Sequence, residues 1–175
     1  QAMAPRALED KARQVFLKLQ ECWQARDYGP MKPLMMTHLY NQHLKQIQGM
    51  IRNHEINKMD GIKIERLDLV NVRYTDKVEN REFTALIMAS MHDYYVDDRN
   101  GEVTRDEGGT APFQEFWTFQ LQGGQWLLRD VEQTGESDAL KDENFFESMT
   151  DVQVEQIYGA KVESTGPAGP WLEKK

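Results

Sequence analysis

The sequence predicts an α+β domain in which three N-terminal helices precede about four or five antiparallel strands. Two observations carry this. Apolar residues recur at steps of three and four up to the middle fifties, and from Gly61 onward the spacing falls towards two. A third observation agrees: Asn100-Gly101 and Gly123-Gly124 sit between apolar runs, where hairpin turns belong.

In chain order, residues 7–26 form the first helix. Leu8, Ala12, Val15, Leu19 and Cys22 make its apolar stripe, and Phe16 and Trp23 widen it. Gly29, Pro30 and Pro33 then break and restart the chain, which suits a short helix over about 30–36. Thr37 is the candidate N-cap of a third helix. Its apolar face is Tyr40, Leu44, Ile47 and Ile51, flanked by Met36, His43 and Met50, and it is expected to end near Asn57. The stretch 61–74 opens as a strand, with Ile62 and Ile64 alternating. The alternation slips between Leu67 and Val70, as it does at a β-bulge. Residues 81–96 form a long strand that is apolar on both parities near its centre, so cover is expected on both faces. Residues 113–133 read as a hairpin around Gly123-Gly124. Phe113, Trp117, Phe119 and Leu121 share one parity, and Trp126 and Leu128 answer from the partner strand. Trp23, Tyr40, Ile47, Trp117, Phe119 and Trp126 are expected to fill the space between helices and sheet.

The domain is therefore assigned to residues 1–133. Residues 134–175 read as an acidic extension. Phe146, Met149, Val152 and Ile157 keep a weak helical spacing there, and the Gly/Pro linker KVESTGPAGPWLEKK follows. The linker is expected to lead to a further segment. The chain does not begin with Met, which suggests a piece of a longer protein.

Composition narrows the function classes. The 175 residues are 39% hydrophobic and 29% charged, a globular balance with enough chain for one core. No run approaches the roughly 18 apolar residues of a membrane span, and the N-terminus lacks the pattern of a signal peptide. The single cysteine, Cys22, excludes internal disulfides and reads as a small buried hydrophobe, which fits a reducing, cytoplasmic-side environment. A net charge of -8 argues against nucleic acid as a partner. The charge is uneven: residues 1–58 carry +4, residues 59–133 carry -7 and residues 134–175 carry -5.

Motifs for metal and cofactor chemistry are incomplete. HEINK at 54–58 begins like a zinc-protease helix, but Lys58 stands where the second histidine belongs. VDDRNGEVTRDE at 96–107 has calcium-loop spacing at Asp98, Asn100, Gly101 and Glu107, yet Val96 occupies the first ligand position. His38 and His43 are five apart and do not share a helix face well. No metal site, catalytic residue or cofactor is assigned. Acid–base candidates do exist: His92, Asp93, Tyr94 and Tyr95 on one strand, and Glu115 on another. Glu115 is the pointed case, because its parity is that of Phe113 and Trp117. A desolvated carboxyl there is either a base with a raised pKa or a hydrogen-bonded structural group.

Three stretches carry a family resemblance. They are CWQARDYGPMKPLMMTHLYNQHLKQIQGM, IERLDLVNVRY and FQEFWTFQLQGGQWLLRDVEQ. W-x-x-x-D at Trp23–Asp27, the run Leu34–Tyr40, E-x-W-T-F at Glu115–Phe119 and W-x-L at Trp126–Leu128 occur in one order. Across residues 8–133 the chain resembles the C-terminal domain of the inner-membrane translocase subunit 44 family and its bacterial-type relatives. The resemblance implies a nuclear transport factor 2-like cone, a curved antiparallel sheet wrapped on helices around a hydrophobic pocket. The implied pocket lining is Trp23, Tyr40, Ile47, His92, Tyr94, Glu115, Trp117, Phe119 and Trp126. It further implies a non-catalytic scaffold that tethers a protein partner at an inner-membrane surface. Anionic lipid would then meet the N-terminal helix, where Arg6, Lys11, Arg13 and Lys18 lie. Two alternatives stay open: a small-molecule enzyme of the ketosteroid-isomerase or dehydratase kind using a pocket carboxylate, and a dimerisation module. The acidic total and the acidic extension depart from the family pattern.

Overall fold

The computed structural model describes residues 4–134. In order these form α1 (Pro5–Ala25), a 3-10 helix (Gly29–Leu34), α2 (Thr37–Arg52), β1 (Glu55–Arg73), a 3-10 turn (Val78–Asn80), β2 (Glu82–Asp97), β3 (Val103–Asp106), β4 (Ala111–Gln122) and β5 (Gln125–Gln133). The helical spacing expected at Phe146, Met149, Val152 and Ile157, and the linker after it, lie outside the described residues.

Local chemistry explains each boundary. Pro5 occupies the first turn of α1, where its missing N–H removes no helical bond. Arg26 ends the helix in the left-handed region at φ 53°, and the N–H groups of Arg26 and Asp27 close onto the carbonyls of Trp23 and Cys22. Thr37 is the first residue of α2 and not its cap. The N-cap is Met36, which makes no side-chain capping bond. Tertiary contact fixes the entry instead: the Met36 N–H donates to the Leu128 carbonyl at 2.9 Å, and Met35 bridges Leu128 in parallel.

α2 stops at Arg52 and does not reach Asn57. His54 adopts φ 59° and reverses the chain, and β1 begins at Glu55, six residues before the strand expected from Gly61. The turn is pinned from outside. Arg26 donates to the Glu55 carbonyl at 3.1 Å and to Asp98 at 2.8 Å, and the Asp98 N–H donates to the His54 carbonyl at 2.9 Å.

The strands form one antiparallel sheet in the order β1-β2-β4-β5. β2 is central. Its first two-thirds pair with β4, and its end pairs with β3 beyond the Asn100-Gly101 turn. The β1–β2 register shifts three times, between Asp60 and Lys63, Ile64 and Arg66, and Leu69 and Asn71. Gly61, at φ 63°, takes the first of these. Each bulge adds twist, so this long pair curls and the sheet is curved and open.

Curvature gives two unequal faces. The inner face and all three helices share one core, including Phe16, Leu19 and Trp23 of α1, Leu39 and Ile47 of α2, and Phe83, Ile87, Trp117 and Leu128 of the sheet. The outer face carries a smaller apolar patch of Leu86 and Phe116 with Val70 and Met88 against them.

Candidate functional site

The inner face of β4 alternates as its sequence suggests. Phe113, Glu115, Trp117 and Phe119 all point into the core, and Glu115 is fully buried. Phe16 of α1 packs on Phe113 and Trp117, with ring centroids 6.4 and 5.1 Å apart. The Trp117 indole N–H donates to Glu115 Oε1 at 2.7 Å. Glu115 Oε2 has no hydrogen-bond partner among the described residues. Burial pushes this carboxyl up to about 8, and the single Trp117 bond only partly opposes it. At neutral pH the group is therefore largely a neutral acid. Gln20, one turn beyond Phe16, is 1% exposed and its amide atoms are also without partners among the described residues.

A second polar cluster closes the other end of the core. Trp23 Nε1 donates to Asn57 Oδ1 at 3.2 Å, and Asn57 Nδ2 donates to Asp93 Oδ1 at 2.6 Å and to the Tyr94 carbonyl at 3.1 Å. One asparagine thus ties α1, β1 and β2 together. Beside it the Tyr28 hydroxyl and His43 Nδ1 share a 2.5 Å hydrogen bond, with Tyr40 stacked on Tyr28 at 5.6 Å. Burial holds the Tyr28 phenol well above its usual range. The guanidinium of Arg105 lies over the Tyr95 ring at 4.0 Å.

The two inner-face carboxyls do not converge. Glu115 pairs with Ile87 on β2, and Asp93 lies six residues further along that strand. At ~3.3 Å per residue this separation is roughly 20 Å. Each acid is committed to its own neighbour, Trp117 or Asn57.

Of the residues expected to line a pocket, Trp23, Tyr40, Ile47, Glu115, Trp117, Phe119 and Trp126 are all buried in the inner core. Trp126 meets Phe83 edge-on at 5.0 Å, and Phe83 stacks on Phe119 at 4.7 Å. His92 and Tyr94 do not join them. On β2 the inner parity belongs to Met91, Asp93 and Tyr95, so His92 and Tyr94 lie on the outer face. There His92 Nε2 contacts Asp106 at 3.0 Å, and the Tyr94 hydroxyl donates to Asp60 at 2.6 Å. Sequence reasoning missed Asn57, because the helix was carried through it. The signal was its two-residue spacing from Met59.

The membrane-surface candidates sit on α1. Arg6, Arg13 and Lys18 are exposed, and Lys11 is half-buried. Lys18 contacts Glu21 at 3.3 Å, a surface pair that leaves it open to solvent. Leu17, 42% exposed, lies among these cations. Among the described residues no group of three or more His, Cys, Asp or Glu side chains is placed to hold a metal ion. Nor is any helix there long and apolar enough to cross a membrane.

Comparison with known proteins agrees with this architecture. No curated protein matches the chain. Among solved structures, the intermembrane space region of the chloroplast protein ARC6 superposes with a TM-score of 0.55 at 8% identity, covering 77% of this chain and all of that one. At that identity the likeness concerns the fold alone. The model of the Tim44-like domain matches residues 3–133, the whole of the described helices and sheet. The chain belongs to the Tim44-like domain family.

Proposed function

We propose that this domain is a non-catalytic, protein-binding module of a membrane-associated protein, which tethers a partner at an inner-membrane surface with α1 turned towards anionic lipid. Family membership across residues 3–133 carries the reading. Two features of the site support it. The inner face holds two separated and individually bonded carboxyls, which does not suit a shared acid–base reaction on one substrate. The exposed side of α1 carries Arg6, Arg13 and Lys18 with the exposed Leu17, interspersed with Asp10 and Glu21, within a section of net +4. Near an anionic membrane each such cation contributes on the order of 1 kcal/mol, over about a Debye length. The acidic remainder of the chain opposes this attraction unless it faces away.

The test is co-sedimentation with cardiolipin-rich and with neutral vesicles, at low and high salt. Binding that requires anionic lipid, weakens with salt and is lost in the Arg6/Lys11/Arg13/Lys18→Ala variant is the expected result. No binding to either vesicle under any condition overturns the lipid-facing role of α1.

A further inference from the structure

β1 is the long edge of the sheet. Among the described residues its 19 residues pair with β2 alone, whereas the opposite edge, β5, is met at Leu128 by Met35 and Met36. The bulge between Ile64 and Arg66 gives the middle of β1 a symmetry. Ile64 lies opposite Ala89 of the inner core, and Arg66 lies opposite Met88 of the outer patch. Glu65, the extra residue, also turns outwards. It accepts a 3.0 Å hydrogen bond from Ser90 Oγ and lies 3.8 Å from Lys63 Nζ. Lys63 and Asp68 are outward too, opposite Ser90 and Leu86. Ile62, Ile64, Leu67 and Leu69 belong to the inner side.

We propose that β1 pairs antiparallel with β1 of a second copy of this chain, about a two-fold axis between Glu65 and Arg66, so that two sheets join into one. From residue 62 to residue 69 the order of inner and outer side chains reads the same from either end. The charges reverse sign under the same operation. In this register Ile64 meets Leu67 of the second copy on the inner face, and Ile62 meets its Leu69. On the outer face Lys63 meets the second copy's Asp68, and Glu65 meets its Arg66. Centring the axis on Glu65 or on Arg66 instead sets Lys63 against Leu67 or Leu69, an outer residue against an inner one.

The symmetry selects a second copy over an unrelated strand. A two-fold contact requires a patch that is complementary to itself, and a stretch whose charges change sign on reversal is one. The main-chain groups of a sheet edge supply the ladder bonds. Asp60, Gly61, Lys63, Glu65 and Arg66 are exposed, which leaves this edge open to an approaching strand. Within one chain Lys63 already contacts Glu65, and Arg66 contacts Asp68. Each cation keeps that neighbour and gains a second carboxylate across the axis, so the charges alternate over the whole junction. This contact does not draw on the cations of α1 and is independent of their lipid-facing role.

The test is sedimentation equilibrium of the full 175-residue chain at rising protein concentration. The expected mass climbs from 20.4 kDa towards twice that value, and does so less readily at high salt. Lys63→Glu/Arg66→Glu should stay monomeric where the unsubstituted chain is dimeric. Glu65→Lys/Asp68→Lys should do the same, because each variant sets like charges across the axis. An equimolar mixture of the two variants should recover the dimer, since every facing pair is again opposite in sign. Circular dichroism of each variant should match the unsubstituted chain, as these side chains lie at the surface. A chain that stays at 20.4 kDa at every concentration overturns the proposal. A dimer that both variants keep, or one that the mixture of folded variants does not restore, places the contact elsewhere and also overturns it.

Discussion

The indole of Trp117 donates to the carboxyl of Glu115 across 2.7 Å, and both side chains are fully buried on one face of β4. The acid on an apolar strand face is thus partnered by the next residue of the same parity. Glu115→Ala leaves the indole N–H unpaired in the core, which costs about 1–3 kcal/mol. Glu115→Gln keeps the Oε1 acceptor and should lose much less. Urea unfolding of the two variants at pH 6, with midpoints and slopes compared, checks this.

Trp117 itself joins α1 to the sheet through Phe16. Trp117→Ala opens a cavity at the centre of the inner core and should cost about 3–5 kcal/mol. A loss below about 1 kcal/mol in the same unfolding assay would show that the core does not depend on this ring.

Asn57 serves three elements at once. Asn57→Ala removes the acceptor from Trp23 Nε1 and the donor from Asp93 Oδ1, both buried. A loss of about 1–3 kcal/mol is expected. Hydrogen exchange should quicken where α1, β1 and β2 meet, while the β4–β5 hairpin keeps its protection.

Stability should depend on pH through Glu115. The folded carboxyl titrates at about 8, against 4.5 for the ordinary side chain. The fold therefore holds the proton more tightly than the unfolded chain does. Its contribution is fully present below about pH 4.5 and is lost as the pH rises to about 8, on the order of 5 kcal/mol in all. Asp97, held down to about 2 by Arg99, titrates below this window. The wild-type chain should lose stability from pH 5 to pH 8, and Glu115→Gln should be flatter over the same range.

Much of the fold was legible because α1 and β4 each bury one face. Leu8, Ala12, Val15 and Leu19 mark one stripe of α1, and Phe113, Trp117 and Phe119 mark one parity of β4. β2 was harder to read. It is apolar on both parities, since Ile87 enters the inner core and Leu86 the outer patch. Period alone could not say which way His92 and Tyr94 point. The end of α2 was misread for a different reason. The break at His54 rests on a positive φ held by contacts distant in the chain, Asp98 on His54 and Arg26 on Glu55, and no local signal announces it. The register slip in β1 was visible around Leu67–Val70, but the two earlier shifts fall at Asp60–Lys63 and Ile64–Arg66, where Ile62 and Ile64 keep an unbroken alternation and so give no mark of a bulge.

The account centres on Glu115 as a sealed structural acid in a domain that works by binding. A direct measurement is the titration of its side-chain carboxyl by carbon-13 NMR in the folded protein, assigned by comparison with Glu115→Gln. The account predicts a midpoint near 8, with the Trp117 indole N–H shift moving over the same range. A midpoint near 4.5, with the indole resonance indifferent to pH, would mean a solvated and ionised carboxylate, and would contradict the account.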